Sequence, residues 1–326
     1  MLMHQLPGLR ASFVASALIL ALGQAASAQQ ASNALTVTQG DKSAGAAATQ
    51  QSGFFLRMLP NKFHPERKGE GQVLHRFQGK GSAGTKTAPA TPPLSYWGGQ
   101  TIYAATEIPL YLNCPANNES CWGKPAEFEA DLQSSTLIHV ADQYIKPASG
   151  GVYAPTSSFY HGSSSTNLAY ADILSWVHAL AVASGGTAVN SHSRIYHVFL
   201  NKGTETCYDS KDCYSPTRPA VFTFCAYHAS HNFSDVGLVR FTVEPYQNVT
   251  GCQVNNSLTD STDNVLSHEI FETITDPDGT AWYDSAGEEI GDKCAWTTVG
   301  RVLLNKNYYN IQKEWSNKSG ACSTTP

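Results

Sequence analysis

"SHEIFETITDPDGTAWYDSAGEEIGDKC", residues 267–294, joins a helical pattern to a loop rich in acidic residues. Leu266, Ile270 and Ile274 recur every fourth residue, and this spacing places them on one face of a helix. An apolar face of this kind packs against a hydrophobic core. We therefore predict a helix that is central to the fold, with these side chains buried.

Sequence signals predict both ends of this helix. Thr262 or Asp263 is a suitable N-terminal cap for a helix that begins near Asn264. Asp276 precedes Pro277, and a residue before proline avoids helical backbone angles, so the helix should end there. The predicted helix has about three turns.

The helix also carries residues suited to binding a metal. His268 and Glu272 are four residues apart and share a face, where an imidazole nitrogen and a carboxylate oxygen together suit zinc or another divalent cation. The His-Glu-x-x opening is typical of zinc peptidases, although Glu272 stands where these have a second histidine. Glu269 would act as the general base that polarises a metal-bound water.

Two protein ligands are too few for a tight site, so a third should come from elsewhere in the chain. Asp292 in "GEEIGDKC" is the preferred third ligand, and Glu289 is the second choice. "CAYHASH" offers His228 and His231 at the end of a predicted strand, a place where sites are commonly built.

Two other interpretations of this cluster compete with a catalytic site. A histidine and two glutamates on an exposed helix are often only a solvated face. Alternatively the cluster is structural, and His268 and Glu272 hold a structural ion or form hydrogen bonds with Asp292 and Tyr283.

Other chemistries lack their motifs. A calcium loop that begins at Asp276 is excluded because Gly287 occupies the twelfth position, where a bidentate glutamate is needed. No G-x-S-x-G elbow, P-loop or dinucleotide fingerprint occurs in the sequence. Serine hydrolase and nucleotide chemistry are therefore poorly supported.

The N-terminus has the pattern of a secretory signal peptide, residues 1–28. Arg10 precedes an apolar segment at 11–23, and the small residues at 26–28 offer a cleavage site. No later segment is long and apolar enough to span a membrane. The sequence predicts a secreted, extracellular protein, with the periplasm or the cell wall as alternative destinations.

Eight cysteines agree with export, because an even number in an oxidising compartment predicts disulfides rather than metal thiolates. Cys114–Cys121 and Cys207–Cys213 each bracket a short polar loop, and we expect both bridges to form. The pairing of the other four stays open, and we favour Cys225–Cys252 and Cys294–Cys322.

Composition and charge divide the chain near residue 94. Residues 29–93 carry eight Lys/Arg against three Asp/Glu and are rich in small and polar residues, which predicts a flexible low-complexity leader or linker. Residues 94–326 carry twelve Lys/Arg against 23 Asp/Glu and have the length of one domain. This acidic body argues against a nucleic-acid partner.

The body mixes strand and helix patterns. Besides the motif helix, residues 124–145 are in part helical, and a stronger helix within 165–186 should be capped by Ser165 or Thr166 and ended by Gly185 and Gly186. Strands are predicted near 103–112, 194–201, 220–228 and 235–246. These elements predict an α/β (α+β) fold with a mixed β-sheet and packed helices, disulfide-stabilised, and the motif helix makes it a zincin-like single domain.

The body resembles the phosphate-induced, exordium-like family of secreted proteins, which is known from plant cell walls and has bacterial relatives. "FCAYH" (224–228), "SHEIFETITDP" (267–277) and "AWYD…EEIGDKC" (281–294) are similar to family motifs and occur in the same order. An earlier "IPLYL" run (108–112) is similar to the family's opening strand. Departures from the family pattern are Ala226, Phe271 and Asp276.

The resemblance implies that Glu272 is the residue this family carries at that position, so the missing second histidine is not a sign of decay. Plant members are linked to growth and carbon-status responses in the wall, so the resemblance implies an extracellular location and a site geometry rather than a reaction. The matching positions are His228, His268, Glu269, Glu272, Trp282, Tyr283, Glu289, Asp292 and Cys294.

Together these features predict a secreted metal-binding protein, most simply a zincin-like metallohydrolase of the peptidase type. Zinc or another divalent cation would be held by His268, Glu272 and Asp292, and Glu269 would activate water. The expected partner is an extracellular polymer or peptide substrate. The alternative is a non-catalytic extracellular or cell-wall binding protein of the exordium-like family whose cluster is structural.

Overall fold

The computed structural model describes residues 37–41, 75–77, 92–146, 148 and 150–326. The predicted signal peptide (1–28) and most of the predicted leader (29–93) lie outside these residues. The helices are α1 (Pro125–Gln133), α2 (Tyr170–Ala183) and α3 (Leu258–Thr275). The strands are β1 (Thr38–Asp41), β2 (His75–Phe77), β3 (Ser95–Tyr96), β4 (Ala104–Leu112), β5 (Val152–Pro155), β6 (Ser158–Gly162), β7 (Asn167–Ala169), β8 (Arg194–Leu200), β9 (Glu205–Cys207), β10 (Cys213–Tyr214), β11 (Ala226–Phe233), β12 (Gly237–Glu244), β13 (Trp282–Tyr283), β14 (Gly300–Leu304), β15 (Asn307–Ile311), β16 (Glu314–Ser316) and β17 (Ala321–Ser323).

The largest sheet contains eight of these strands in the order β1-β6-β4-β8-β12-β11-β2, and β5 also pairs with β4. Strands β6, β4, β8 and β12 run parallel, whereas β11 is antiparallel to β12. The short strands β1 and β2 pair with β6 and β11. The prediction of a mixed sheet with packed helices is confirmed.

Helices cover both faces of this sheet. Successive side chains of a strand point to opposite faces, so Tyr196 and Val198 of β8 join the core beneath α2, while Ile195 and Phe199 join the core beneath α1 and α3. Beneath α2 the core includes Ile173, Trp176, Val177 and Leu180, and on the other side it includes Phe128, Leu132, Leu266, Ile270, Phe271 and Ile274.

Helix α3 is buried along its whole length after the first turn. Every residue from Ser261 to Thr275 is buried, including Leu266, Ile270 and Ile274 as predicted. The helix packs against β11 and β12 of the sheet and, on another side, against β15 of the C-terminal tail. The interpretation of the motif helix as a solvated surface helix is therefore wrong.

The predicted start of α3 is also wrong. The helix begins at Leu258, six residues before Asn264, and Ser257 caps it by accepting a hydrogen bond at Oγ from the backbone N–H of Asp260 (3.2 Å). Thr262 and Asp263 are interior helix residues. The helix ends at Thr275 before Asp276, as the Asp-Pro pair predicts.

Two further sequence predictions need correction. Ser165 and Thr166 do not cap α2, because Asn167–Ala169 forms β7 beside β9 and the helix starts only at Tyr170. The strand predicted over 220–228 begins at Ala226, because the preceding segment exchanges backbone hydrogen bonds with Cys213 through Val221 and Thr223.

The tail after α3, for which no clear elements were predicted, forms the hairpins β14–β15 and β16–β17.

Four disulfide bridges connect all eight cysteines, and they are the predicted pairs Cys114–Cys121, Cys207–Cys213, Cys225–Cys252 and Cys294–Cys322. Bridges of this number fit an extracellular protein. Within the described part of the chain, no helix has the length and apolar character needed to cross a membrane.

Candidate metal centre

Helix α3 carries the side chains at the centre of the candidate site. His268 and Glu272 are one turn apart on the same face, and Nε2 of His268 lies 2.9 Å from Oε1 of Glu272. Both side chains are completely buried. The sequence spacing predicts that these two side chains lie on one face of a helix, and the structure shows them on the same face.

The loop after β13 supplies Asp292 to this pair. Oδ1 of Asp292 lies 3.7 Å from Nε2 of His268, and the backbone N–H of Asp292 donates a hydrogen bond to Oε1 of Glu272 (3.1 Å). Asp292 opens a short 3₁₀ turn that ends at Cys294, and the bridge to Cys322 fixes this turn. One ligand atom from each of His268, Glu272 and Asp292 falls within 4.8 Å of the others.

A second group of potential ligands lies beside the first and shares Glu272. Nδ1 of His228, on β11, lies 3.6 Å from Oε2 of Glu272, and its Nε2 lies 3.8 Å from Oε1 of Glu289. One ligand atom from each of these residues is also within 4.8 Å of the others, and all are buried. The structure thus places both alternative third ligands, His228 and Glu289, beside Glu272 in a group that does not include His268.

Glu269, the predicted general base, faces the second group. Its Oε2 lies 3.3 Å from Nδ1 of His228, because residue 269 points to the side of α3 that packs against β11. The side chain is completely buried. Any proton that Glu269 accepts or releases would therefore be shared with the His228 side of the cluster.

Gln312 orients His268, and no motif in the sequence points to this residue. Its Nε2 donates hydrogen bonds to the carbonyl of Gly291 (3.0 Å) and to Oε1 of Glu314 (3.3 Å), which leaves Oε1 to accept from Nδ1 of His268 (3.4 Å). Nδ1 therefore carries the proton, and Nε2 presents its lone pair toward Glu272 and Asp292. A metal-binding histidine is commonly held by such a second hydrogen bond.

Burial dominates the electrostatics of the cluster. It lowers the pKa of His268 to about 4 and raises the pKa of Glu272 to about 8. Burial, followed by the charge of Glu272, raises the pKa of Asp292 to about 8, although 29% of this side chain is exposed. The pKa values of Glu289 and Glu314 are also raised well above normal, mainly by burial and next by the carboxylate of Glu272.

Among the described residues, the basic side chains within ion-pair distance of Glu272 and Asp292 are histidines. Neither carboxylate has a lysine or arginine from this part of the chain within that distance. The neighbouring Lys293 is paired with Asp284 instead (2.8 Å). Buried carboxylates without such a partner must either hold a proton or bind a cation.

Other residues singled out in the sequence lie outside both ligand groups. Tyr283 stacks on Trp97, with ring centroids 5.1 Å apart and planes 8° from parallel, and Trp282 is tilted against Tyr96. His231 packs against Phe233 and does not reach the cluster.

Comparisons of this chain with protein-family models, with curated proteins and with solved structures found no match. The fold class is therefore established from the structure itself, and the resemblance to the exordium-like family stays a prediction.

Proposed function

We propose that this chain is an extracellular metal-binding protein of zincin-like architecture, whose cluster of His268, Glu272 and Asp292 holds a divalent cation. The observation that supports this most is the position of Nε2 of His268, 2.9 Å from Oε1 of Glu272 and 3.7 Å from Oδ1 of Asp292. Adjacent ligands of a tetrahedral zinc ion bound at about 2.0–2.1 Å are separated by roughly 3.3 Å. The spacing in the cluster fits such an ion with small adjustments.

The donor chemistry and the surroundings support the same proposal. One imidazole and two carboxylates suit zinc, and also manganese or iron(II). Gln312 holds Nδ1 of His268, so that Nε2 faces Glu272 and Asp292, and the interior offers no lysine or arginine to these two carboxylates among the described residues. A divalent cation would compensate charges that this interior otherwise excludes.

Hydrolysis of a peptide-type bond is the function we infer for this centre. A bound divalent cation supplies a Lewis acid that makes water a better nucleophile near neutral pH. Glu269 would be the general base that accepts a proton from the attacking water, and His228, whose Nδ1 lies 3.3 Å from Oε2 of Glu269, would stabilise the protonated carboxyl group. Asp292 retains 29% of its side-chain exposure and marks the side from which substrate approaches.

Peptide cleavage by the purified full-length chain tests this proposal. We expect activity on a fluorogenic peptide library that a chelator abolishes and zinc restores. Glu269→Gln should reduce the rate by at least about 100-fold, the scale of general-base catalysis, while retaining metal. Glu127→Gln, which changes a half-exposed glutamate on α1, is the matched control and should keep full activity.

A second candidate function is favoured by the complete burial of His268, Glu269 and Glu272. In this alternative the cation is structural, and the protein binds an extracellular polymer or partner without catalysis. Glu269→Gln is then silent in every assay, and His268→Ala lowers the melting temperature. Metal bound without any chelator-sensitive cleavage would favour this alternative over the hydrolase.

A further inference from the structure

The carboxylate of Glu272 faces two different imidazoles. Its Oε1 lies 2.9 Å from Nε2 of His268, whereas its Oε2 lies 3.6 Å from Nδ1 of His228. Each imidazole has its own acidic neighbour: Nε2 of His268 lies 3.7 Å from Oδ1 of Asp292, and Nε2, the other nitrogen of His228, lies 3.8 Å from Oε1 of Glu289. One ligand atom from each of His228, Glu272 and Glu289 lies within 4.8 Å of the others. The cluster is therefore built as two imidazole–carboxylate pairs on either side of one shared carboxylate.

The two oxygens of Glu272 also differ in their hydrogen bonds. Oε1 accepts from the backbone N–H of Asp292 (3.1 Å), while Oε2 is buried and accepts no hydrogen bond from any described residue. A buried carboxylate oxygen without a donor is costly, and such exceptions in folded proteins often mark a bound ion. This oxygen points to the His228 side of the cluster.

We infer that the cluster holds a second divalent cation on His228, Glu272 and Glu289, with the Glu272 carboxylate bridging it to the cation on His268, Glu272 and Asp292. The inference rests on the proposed metal centre and extends it from one ion to two. The three ligands come from β11, α3 and the loop after β13, so the fold itself brings them together.

The charges of the described residues agree with two ions. Besides the shared Glu272, each ligand group contributes one further carboxylate, Asp292 beside His268 and Glu289 beside His228. The charge of these three carboxylates exceeds that of one divalent cation, and two divalent cations compensate all three. Each ion in this arrangement has one nitrogen and two oxygen ligands from the protein, which leaves room for water or substrate.

Metal content and magnetic coupling test the inference on the full-length chain. After removal of metal with a chelator, incubation with Zn²⁺ and desalting, we expect two zinc ions per chain by elemental analysis. Glu289→Gln and His228→Gln should each reduce the content from two to one. Glu288→Gln, which changes the adjacent glutamate outside both ligand groups, is the matched control and should retain two.

The outcomes separate this inference from the proposed function. One ion in both the unmodified chain and Glu289→Gln refutes the second site and leaves the proposed centre intact. No ion refutes both. With Mn²⁺ in place of Zn²⁺, a bridging carboxylate predicts an electron paramagnetic resonance spectrum of a coupled pair, and two ions with uncoupled spectra refute the bridge.

Discussion

Gly291 determines how closely the loop after β13 approaches His268. A Cβ atom at this position would lie 2.6 Å from Nδ1 and 2.8 Å from Cε1 of His268. Cβ atoms in folded proteins do not approach other heavy atoms this closely. The φ angle of −76° suits any residue, so the requirement for glycine is one of space. We expect Gly291→Ala to displace the imidazole, to weaken metal binding by about 10- to 100-fold and to lower the free energy of unfolding by about 1–3 kcal/mol.

Gly300→Ala is the matched control for this prediction, because the added Cβ would meet nothing closer than the carbonyl oxygen of Thr298 at 4.0 Å. Calorimetric titration with Zn²⁺ and urea unfolding measure the two effects. Equal zinc affinity in the unmodified chain and in Gly291→Ala would contradict the assigned position of His268.

His197 should make the folded state less stable in acid. Nδ1 bonds to Oγ1 of Thr242 (2.9 Å) on the buried face of the sheet, and burial lowers the pKa of His197 from 6.5 to about 3. Between these values the unfolded chain binds a proton that the folded chain does not. The stability present above pH 6.5 is therefore lost as the pH falls, with a slope of up to ~1.4 kcal/mol per pH unit.

Glu244 acts in the opposite direction. Burial raises its pKa from 4.5 to about 8, so the folded chain retains a proton that the unfolded chain releases. The stability present below pH 4.5 is lost as the pH rises toward 8.

Urea unfolding between pH 4 and 8 checks both assignments: His197→Gln should remove the acid-side loss, and Glu244→Gln should remove the loss at higher pH. Unchanged slopes in either variant would refute the corresponding assignment.

At the residue scale, spacing and residue type were enough to select His268, Glu272 and Asp292, with His228 and Glu289 as further candidates. The structure places them in two groups of three that share Glu272, and their role as metal ligands stays a prediction. The same reasoning could not find Gln312 or Gly291. Gln312 is 44 residues from the histidine it orients. Gly291 lies within "GEEIGDKC", but its role is to leave space for the imidazole of His268, and the motif does not reveal that contact.

At the element scale, Arg240 connects β12 to the turn that follows α3. Its guanidinium is completely buried and binds both carboxylate oxygens of Asp278, at 3.1 and 2.8 Å. It also donates to the carbonyl of Ser191 (3.3 Å). Removal of one partner leaves the other without compensation in the interior, so Arg240→Ala should destabilise the protein by about 3–5 kcal/mol.

The surface pair Arg218–Glu205 provides the control for Arg240. The side chain of Arg218 is 50% exposed, and Arg218→Ala should cost only about 0–1 kcal/mol, since exposed ion pairs contribute little. Urea unfolding of the two variants measures the difference. Similar losses of stability in Arg240→Ala and Arg218→Ala would show that the Arg240–Asp278 ion pair does not stabilise the turn after α3.

The early start of α3 shows what sequence patterns miss in an element. Residues 258–263, "LTDSTD", are mostly polar and have no apolar period, so they gave no helix signal. The structure stabilises this part through a contact distant in sequence: Oδ2 of Asp260 accepts a hydrogen bond from Nδ2 of Asn310 (3.0 Å). Tertiary packing, rather than helix propensity, sets the length of the helix.

The positions of the strands along the chain were predicted more successfully than the pairing between strands. The patterns near 103–112, 194–201 and 235–246 correspond to β4, β8 and β12. An apolar alternation predicts that a segment is a strand, but it does not predict which strand lies beside it. The parallel pairs β4–β8 and β8–β12 join segments far apart in the chain, so the topology became clear only from the structure.

At the scale of the whole molecule, the bridge Cys294–Cys322 connects the tail to the loop that carries Glu289 and Asp292. It closes 28 residues, and loop-closure entropy predicts a loss of roughly 3–4 kcal/mol when both cysteines are replaced by serine. Because Asp292 begins the turn that ends at Cys294, we also expect metal affinity to fall by at least about 10-fold.

Replacement of Cys207 and Cys213 is the control for this double substitution. That bridge closes only 6 residues and lies on β9 and β10, away from the cluster, so it should cost about 2 kcal/mol and leave metal affinity unchanged. Zinc titration and thermal unfolding distinguish the two bridges. Equal metal affinity after loss of either bridge would show that the Cys294–Cys322 bridge does not position Asp292.

The central claim, a divalent cation held by His268, Glu272 and Asp292, is tested most directly by the metal content of the purified full-length chain and of His268→Ala. The account predicts at least one zinc, manganese or iron ion per chain after desalting, and for His268→Ala a lower metal content and a lower melting temperature. A metal-free chain whose melting temperature is the same with and without His268 would contradict it.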